Sequence, residues 1–226
     1  MFVIQEILFI RALYHHNRKL WNFSFPFHLG LYLVIGWLAL LLLSAILNTF
    51  GLGANLAEFA RRLAVFLGVF GFILGIIGSF GLIIKRATAE ELKGYTAPVD
   101  YFNLIFILMV FVSGIGAWVT SDPHFLSVRA FIEGLITFKS VEVSTFVALH
   151  ITIFSLFMIY LPFTHMTHFV MKYFMWDKVR FEDEPNLRGS SLESKIAKVL
   201  NYTQNWSAPH IQTGKKWSET ATKGVE

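Results

Sequence analysis

Four long apolar stretches constrain this chain more than any other feature: Phe27 to Leu47, Leu63 to Ile84, Phe102 to Val119 and Phe146 to Val170. A hydrocarbon layer about 30 Å thick is crossed by about 20 helical residues. Inside it every backbone N–H and C=O must find its partner within the protein, which a helix provides along its own length. Four crossings by α-helices are therefore expected. Composition agrees, because only 15% of the residues are charged, against about 25% in an ordinary soluble domain.

The regions flanking the spans complete the expected layout. Phe2 to Tyr14 is too short for a full crossing. Val3, Ile7, Ile10 and Tyr14 share one helical side while Arg11, His15, Arg18 and Lys19 fall on another, the pattern of a helix lying in the membrane interface. No cleavable signal peptide is expected, since the apolar start lacks a basic lead-in and a small-residue cleavage site. Three units follow: an interfacial helix and basic loop over 1–26, a four-helix transmembrane bundle over 27–170, and a polar tail over 171–226.

Basic residues orient the bundle. Arg11, Arg18 and Lys19 precede the first span, Lys85, Arg86 and Lys93 follow the second, and Lys172, Lys178 and Arg180 follow the fourth. Alternating spans place all three clusters on one side, which the positive-inside rule makes cytoplasmic, with both termini there. Arg61, Arg62, Arg129 and Lys139 on the other side weaken the asymmetry. The long outer connection from Thr120 to Ser144 contains an apolar run, Val128 to Phe138, suited to the membrane surface. In the tail, Ser190 and Glu193 have the spacing of a capping box for a helix over Leu192 to Leu200. The net charge of +4 follows this topology, and no nucleic-acid partner is expected. With no cysteine in the chain, disulfides, thiolate-held zinc and iron–sulfur clusters are excluded, so any metal must be held by His or carboxylate.

The histidines are the candidate site. His150 and His168 stand eighteen residues apart in the last span. That is five turns of a continuous helix, about 27 Å of rise, so the spacing predicts one histidine near each membrane surface on a single face. His28 opens the first span in FPFHLG, at the level of His168. Two imidazoles from antiparallel helices at one depth suit a six-coordinate b-type haem. The plainer alternative is that each reaches headgroups or a neighbouring carbonyl. His165 lies off the shared face, and His15 and His16 belong to the basic loop.

Gly68, Gly71, Gly75 and Gly78 form a stripe along the second span. Such a stripe admits either a neighbouring helix or a flat macrocycle; SGIGAW in the third span reads as a packing notch. Arg61 and Arg62 open the second span at the outer level, where snorkelling to headgroups is the ordinary role.

The FHLG motif, the paired histidines of the last span, the basic exit after it and TAPVDYFNLIFILMVFVSGIG together resemble the membrane cytochrome b family of the respiratory nitrate reductase gamma subunit, over roughly Phe27 to Arg180. The tail, NWSAPHIQTGKKWSETAT, is similar to cytochrome b subunits of transmembrane redox complexes from sulfate-reducing microbes. The resemblance implies a haem-binding bundle in the cytoplasmic membrane, exchanging electrons with a menaquinone. It also implies hetero-oligomeric partners: a cytoplasmic iron–sulfur subunit docked on the tail, and other membrane and periplasmic cytochrome subunits.

It assigns His28 and His168 to one haem on the cytoplasmic side, relates His150 to a second on the outer side, and puts Arg61 near a quinol site or a haem propionate; Gly71 and Gly75 stay candidates for the cofactor face on the strength of the stripe alone. One departure stands out. The partner of His150 belongs about ten residues beyond FHLG, near Leu38, where this chain reads VIGWLAL. Leucine cannot ligate iron, so the outer haem is absent, or has one protein ligand, or is held by a substitute, for which His124 is the one histidine on the correct side; one haem is expected, with a second as the alternative. The competing functional class is a haem-free anchor or quinone-binding subunit. A small transporter fits less well, since no span carries the broken helix or buried carboxylate of a midplane site.

Overall fold

The computed structural model describes residues 2–94, 96–167, 174, 186–208 and 211–221. It is an all-α bundle with four helices long and apolar enough to cross a membrane. Among the described residues there is no β-strand, only two isolated bridges in the tail. The chain divides into two compact units, Met1–Thr164 and His165–Glu226.

In the first unit, α1 (Phe2–Phe9) and α2 (Arg11–His16) precede the bundle. The single interfacial helix expected over Phe2 to Tyr14 is thus two pieces, broken at Ile10, whose φ of 50° lies in the left-handed region that helices cannot continue through. The Phe9 carbonyl accepts from Trp21 Nε1 at 2.8 Å and the Ile7 carbonyl from Tyr32 Oη at 2.6 Å, so α1 is tied back onto the next helix. That helix, α3 (Arg18–Thr49), starts nearer the N-terminus than Phe27. The Asn17 side chain caps it by accepting from Leu20 N, which draws most of the expected basic loop into helix.

Gly51 and Gly53, both at positive φ, turn the chain from α3 into α4 (Ala54–Thr88). Glycine adopts that conformation without the steric cost other residues bear. α5 (Glu90–Lys93) leads to α6 (Pro98–Thr120). Pro98 suits its first turn, and Asp100 Oδ2 accepts from Ala97 N at 2.9 Å. α7 (Leu126–Thr137) occupies the expected surface stretch and packs on α3.

α8 (Thr145–Tyr160) is followed by 3₁₀ turns at Leu161–Phe163 and His165–Thr167. The continuous helix expected over Phe146 to Val170 therefore stops early. Pro162 offers no N–H to continue the α ladder, and Thr164 is extended. The five-turn argument for a shared face of His150 and His168 no longer follows from helical spacing, and His168 itself lies outside the described residues.

Packing follows chain order, α3 on α4, α4 on α6 and α6 on α8. We call the end holding the start of α3 and the end of α8 the near end, and the end holding the α3–α4 turn and α7 the far end. The α3–α4 crossing runs backbone to backbone: a Cβ on Gly30 would stand 2.5 Å from Gly75 N, and one on Gly78 would collide with the Phe27 backbone. Ser44 Oγ donates to the Ala57 carbonyl at 2.7 Å and locks the far end of the same pair.

The second unit is polar. α9 (Ser191–Leu200) is capped by Ser190 Oγ, which accepts from Glu193 N, while the Glu193 carboxylate accepts from Gly189 N. The cap is present, displaced by one residue from the reciprocal box. Beyond it, Gln204 and Ile211 are buried, Trp206 and Trp217 meet edge to face, and α10 (Trp217–Ala221) follows.

Candidate functional site

His28 lies in α3 two residues after Pro26, whose missing N–H leaves the Asn22 carbonyl without its helical donor. Its Nδ1 donates to the Ser24 carbonyl at 2.7 Å, with Ser24 Oγ at 3.4 Å. A carbonyl only accepts, so Nδ1 carries the proton and Nε2 carries the lone pair. This is the arrangement by which a second hydrogen bond fixes the tautomer and orientation of a metal-ligating histidine. The half-buried ring of His28 therefore fits the chemistry of an axial ligand.

On α4, Gly75 lies level with Gly30, two residues past His28, and Gly71 level with Val34, packed against α3 and α6. A Cβ on Gly71 would stand 2.9 Å from Val34 Cγ2, and one on Gly75 would strike the Phe111 ring. The stripe thus receives helix α3 and an aromatic ring of the protein.

His150 has a different environment. It is buried, and its Nδ1 lies 3.0 Å from Ser113 Oγ. Ser113 Oγ itself donates to the Val110 carbonyl, so it accepts from His150 Nδ1–H and Nε2 again carries the lone pair. Around the imidazole stand Phe72 at 5.7 Å, Trp37 at 6.3 Å and Phe154 at 6.4 Å between ring centroids. Trp37 meets Phe72 and Phe125 at 5.3 Å each. Leu38 faces outward, while Trp37 before it is 3% exposed and fills the bundle interior. Space beyond His150 is occupied by rings, which does not fit a second haem.

Arg61 is also buried, at the far end. Its Nε and one terminal nitrogen bind the Glu58 carboxylate at 2.8 and 2.5 Å, and the other binds the His124 carbonyl at 2.6 Å. Arg129 joins Glu58 to Glu133, and Glu133 accepts from Asn48. The guanidinium of Arg61 therefore ties α4 to the loop before α7. That loop is held further by Trp118 Nε1 on the Pro123 carbonyl and by Asp122 accepting from Leu126 N and Val128 N. The His124 side chain is exposed beside a cavity of about 370 Å³ lined by Arg61, Arg62, Val65, His124 and Leu126.

A second cleft, of about 420 Å³, opens at the near end between α1, α2 and the start of α3, lined by Gln5, Phe9, Arg11, Tyr14, His15 and Trp21. Trp21 stacks on Phe25 at 4.8 Å, one turn before His28.

The structure thus gathers Gly71 and Gly75 at the α3 crossing, and separates His150 and Arg61 from His28 by the depth of the bundle. Ser113, Trp37 and Phe125 are parts of the His150 environment that motif reading did not find. Ser113 stands inside SGIGAW, and nothing in its spacing relates it to a histidine on another helix.

The model of the nitrate reductase gamma subunit family matches residues 12–180, and the chain belongs to that family. No curated protein and no solved structure matches it. The match covers all four spans and ends before α9.

Proposed function

We propose that this family member is a haem-bearing, quinone-linked electron relay, with His28 and His168 as the two axial ligands of a b-type haem at the near end. The premise is the family itself: membrane cytochrome b subunits of respiratory complexes, which bind haem b and interact with quinone. The observation that carries the finer reading is the His28 tautomer fixed by the Ser24 carbonyl. It presents Nε2 as the ligating nitrogen and restrains ring rotation before any metal binds.

When bound, a haem with two histidine ligands supplies one-electron transfer with no open position for oxygen. The chain's own residues set the conditions. Ser24 orients His28 and raises the electron-donating character of its imidazole. Phe27, edge-on to His28 at 5.2 Å, gives the ring an apolar flank. The near-end cleft is lined by Trp21 and by the hydrogen-bonded group of Gln5, Arg11 and His15, within the size range of small-molecule sites. It is our candidate for a menaquinone head group. The tail, which lies beyond the family match from residue 181 on, is the candidate docking surface for a cytoplasmic iron–sulfur subunit, in a complex of the sulfate-reducer type. This orientation puts the near end and both termini on the cytoplasmic side of the inner membrane.

The test is spectroscopic. Full-length protein purified from membranes and reduced with dithionite is expected to show the sharp visible bands of six-coordinate haem b. His28→Ala and His168→Ala should each lower haem content about tenfold or more. Unchanged bands in either variant would remove that residue from the ligand set.

A further inference from the structure

We infer that this chain carries one haem, at the near end, and that electrons therefore enter and leave through one side of the bilayer without traversing the far half of this subunit. The inference rests on the haem reading above and adds to it the number of haems and the route.

A far-end haem on His150 would require a flat slot, wider than any side chain, directly beyond Nε2. Phe72, Trp37 and Phe154 stand around the imidazole, and Phe125 closes the group from the loop before α7. These rings are seated rather than loosely placed. A Cβ on Gly68 would come within 2.5 Å of Trp37 Cδ1, and one on Gly114 within 2.8 Å of Phe72 Cζ. The glycines make notches that the chain's own aromatic rings fill. Trp37, Phe72 and Phe125 are each at most 3% exposed. Removing one to admit another group would leave a cavity in a closed core, which costs packing and the transfer energy of the lost ring together.

The second ligand is missing as well. No ring contact or hydrogen bond joins His150 to another histidine among the described residues. Leu38 carries no donor and faces outward. His124 is exposed in a loop pinned by Arg61, Trp118 and Asp122, and the next residue, Phe125, holds a strained φ of 51° with its ring in the aromatic group. Bringing His124 inward would break those restraints together. His150 is instead satisfied by Ser113 as a buried polar member of a closed core.

A relay with its only haem at the near end must exchange electrons with quinone and with its partner on that same side. Such a subunit carries no charge across the membrane by electron transfer.

The deciding measurement is the haem-to-protein ratio of the full-length protein, by pyridine haemochrome against quantitative amino-acid analysis, together with a potentiometric titration. One haem per chain and a single one-electron wave are expected. His150→Gln, which retains a hydrogen-bonding group for Ser113, should keep haem content and potential within about 20% and 20 mV of the parent, a shift smaller than the 59 mV that marks a tenfold change. Two haems per chain, or loss of haem in His150→Gln with retention in His28→Ala, would overturn the inference while leaving the protein a haem subunit. A chain without haem would overturn the near-end reading and this one with it. If His150→Gln does not accumulate, the ratio and titration of the unmodified protein decide alone.

Discussion

The two ends of the bundle treat a buried histidine in opposite ways. At the near end His28 is half-buried on a helix interrupted by Pro26, with Ser24 as its hydrogen-bond partner and Phe27 edge-on to its ring. At the far end His150 is surrounded by the rings of Trp37, Phe72 and Phe154, below a loop clamped by Arg61. Both imidazoles have Nδ1 occupied and Nε2 as the lone-pair nitrogen. Tautomer alone therefore does not separate the two histidines; their surroundings do. The contrast teaches that in an apolar bundle the part a histidine can play is set by the side chains packed around its ring as much as by its protonated nitrogen.

The comparison breaks most sharply with the histidines themselves: the ratio of haem retained in His150→Gln to that in His28→Ala should be about tenfold or more, and a ratio near one would erase the distinction. Next comes the crossing that fixes where rings and slots lie. Gly75→Leu places a side chain into Gly30 and Phe111 and should destabilise the bundle by about 3 kcal/mol, read as a lower midpoint in detergent unfolding. A variant with an unchanged midpoint would mean the helices do not approach as described.

Arg61→Met tests the far-end clamp. It leaves the His124 carbonyl without its donor and Glu58 short of one partner. Glu58 is itself partly exposed, so a loss of about 1–2 kcal/mol is expected, with haem content unaltered; loss of haem would instead make Arg61 part of the cofactor site. Smallest is Trp37→Phe. Among the described residues the buried Trp37 Nε1 has no hydrogen-bond partner, and deleting an unsatisfied N–H offsets the lost ring volume to a net change of about 1 kcal/mol or less. A much larger loss would reveal a partner for that N–H.

The four crossings were legible because apolar length is a direct demand of the bilayer. Their ends were less so. Asn17 caps α3 from inside a basic segment that hydropathy alone reads as loop. Pro162 carried the signal to end α8, but the apolar run and the His150–His168 spacing favoured continuing through it. The glycine stripe was legible as a close approach without naming its occupant, since Gly30 and Phe27 reach Gly71, Gly75 and Gly78 only once α3 and α4 cross at a particular angle. The missing histidine near Leu38 was plain, yet its replacement was not. Trp37, Phe72, Phe125 and His150 come from α3, α4, a loop and α8, and no local spacing relates them. Arg61 had the same limitation, because its partner is a backbone carbonyl 63 residues away.

Pro26 has one more consequence. A helical ladder lacking a rung bends there at least cost, so Arg18–Phe25 is the segment of α3 that yields first. A rigid planar molecule entering an already embedded protein requires some part of the wall to move aside. At the far end, stapled by Ser44 and Arg61, nothing yields readily. Any rearrangement of the bundle is therefore cheapest in the first two turns of α3, ahead of His28, and dearest at the α3–α4 turn.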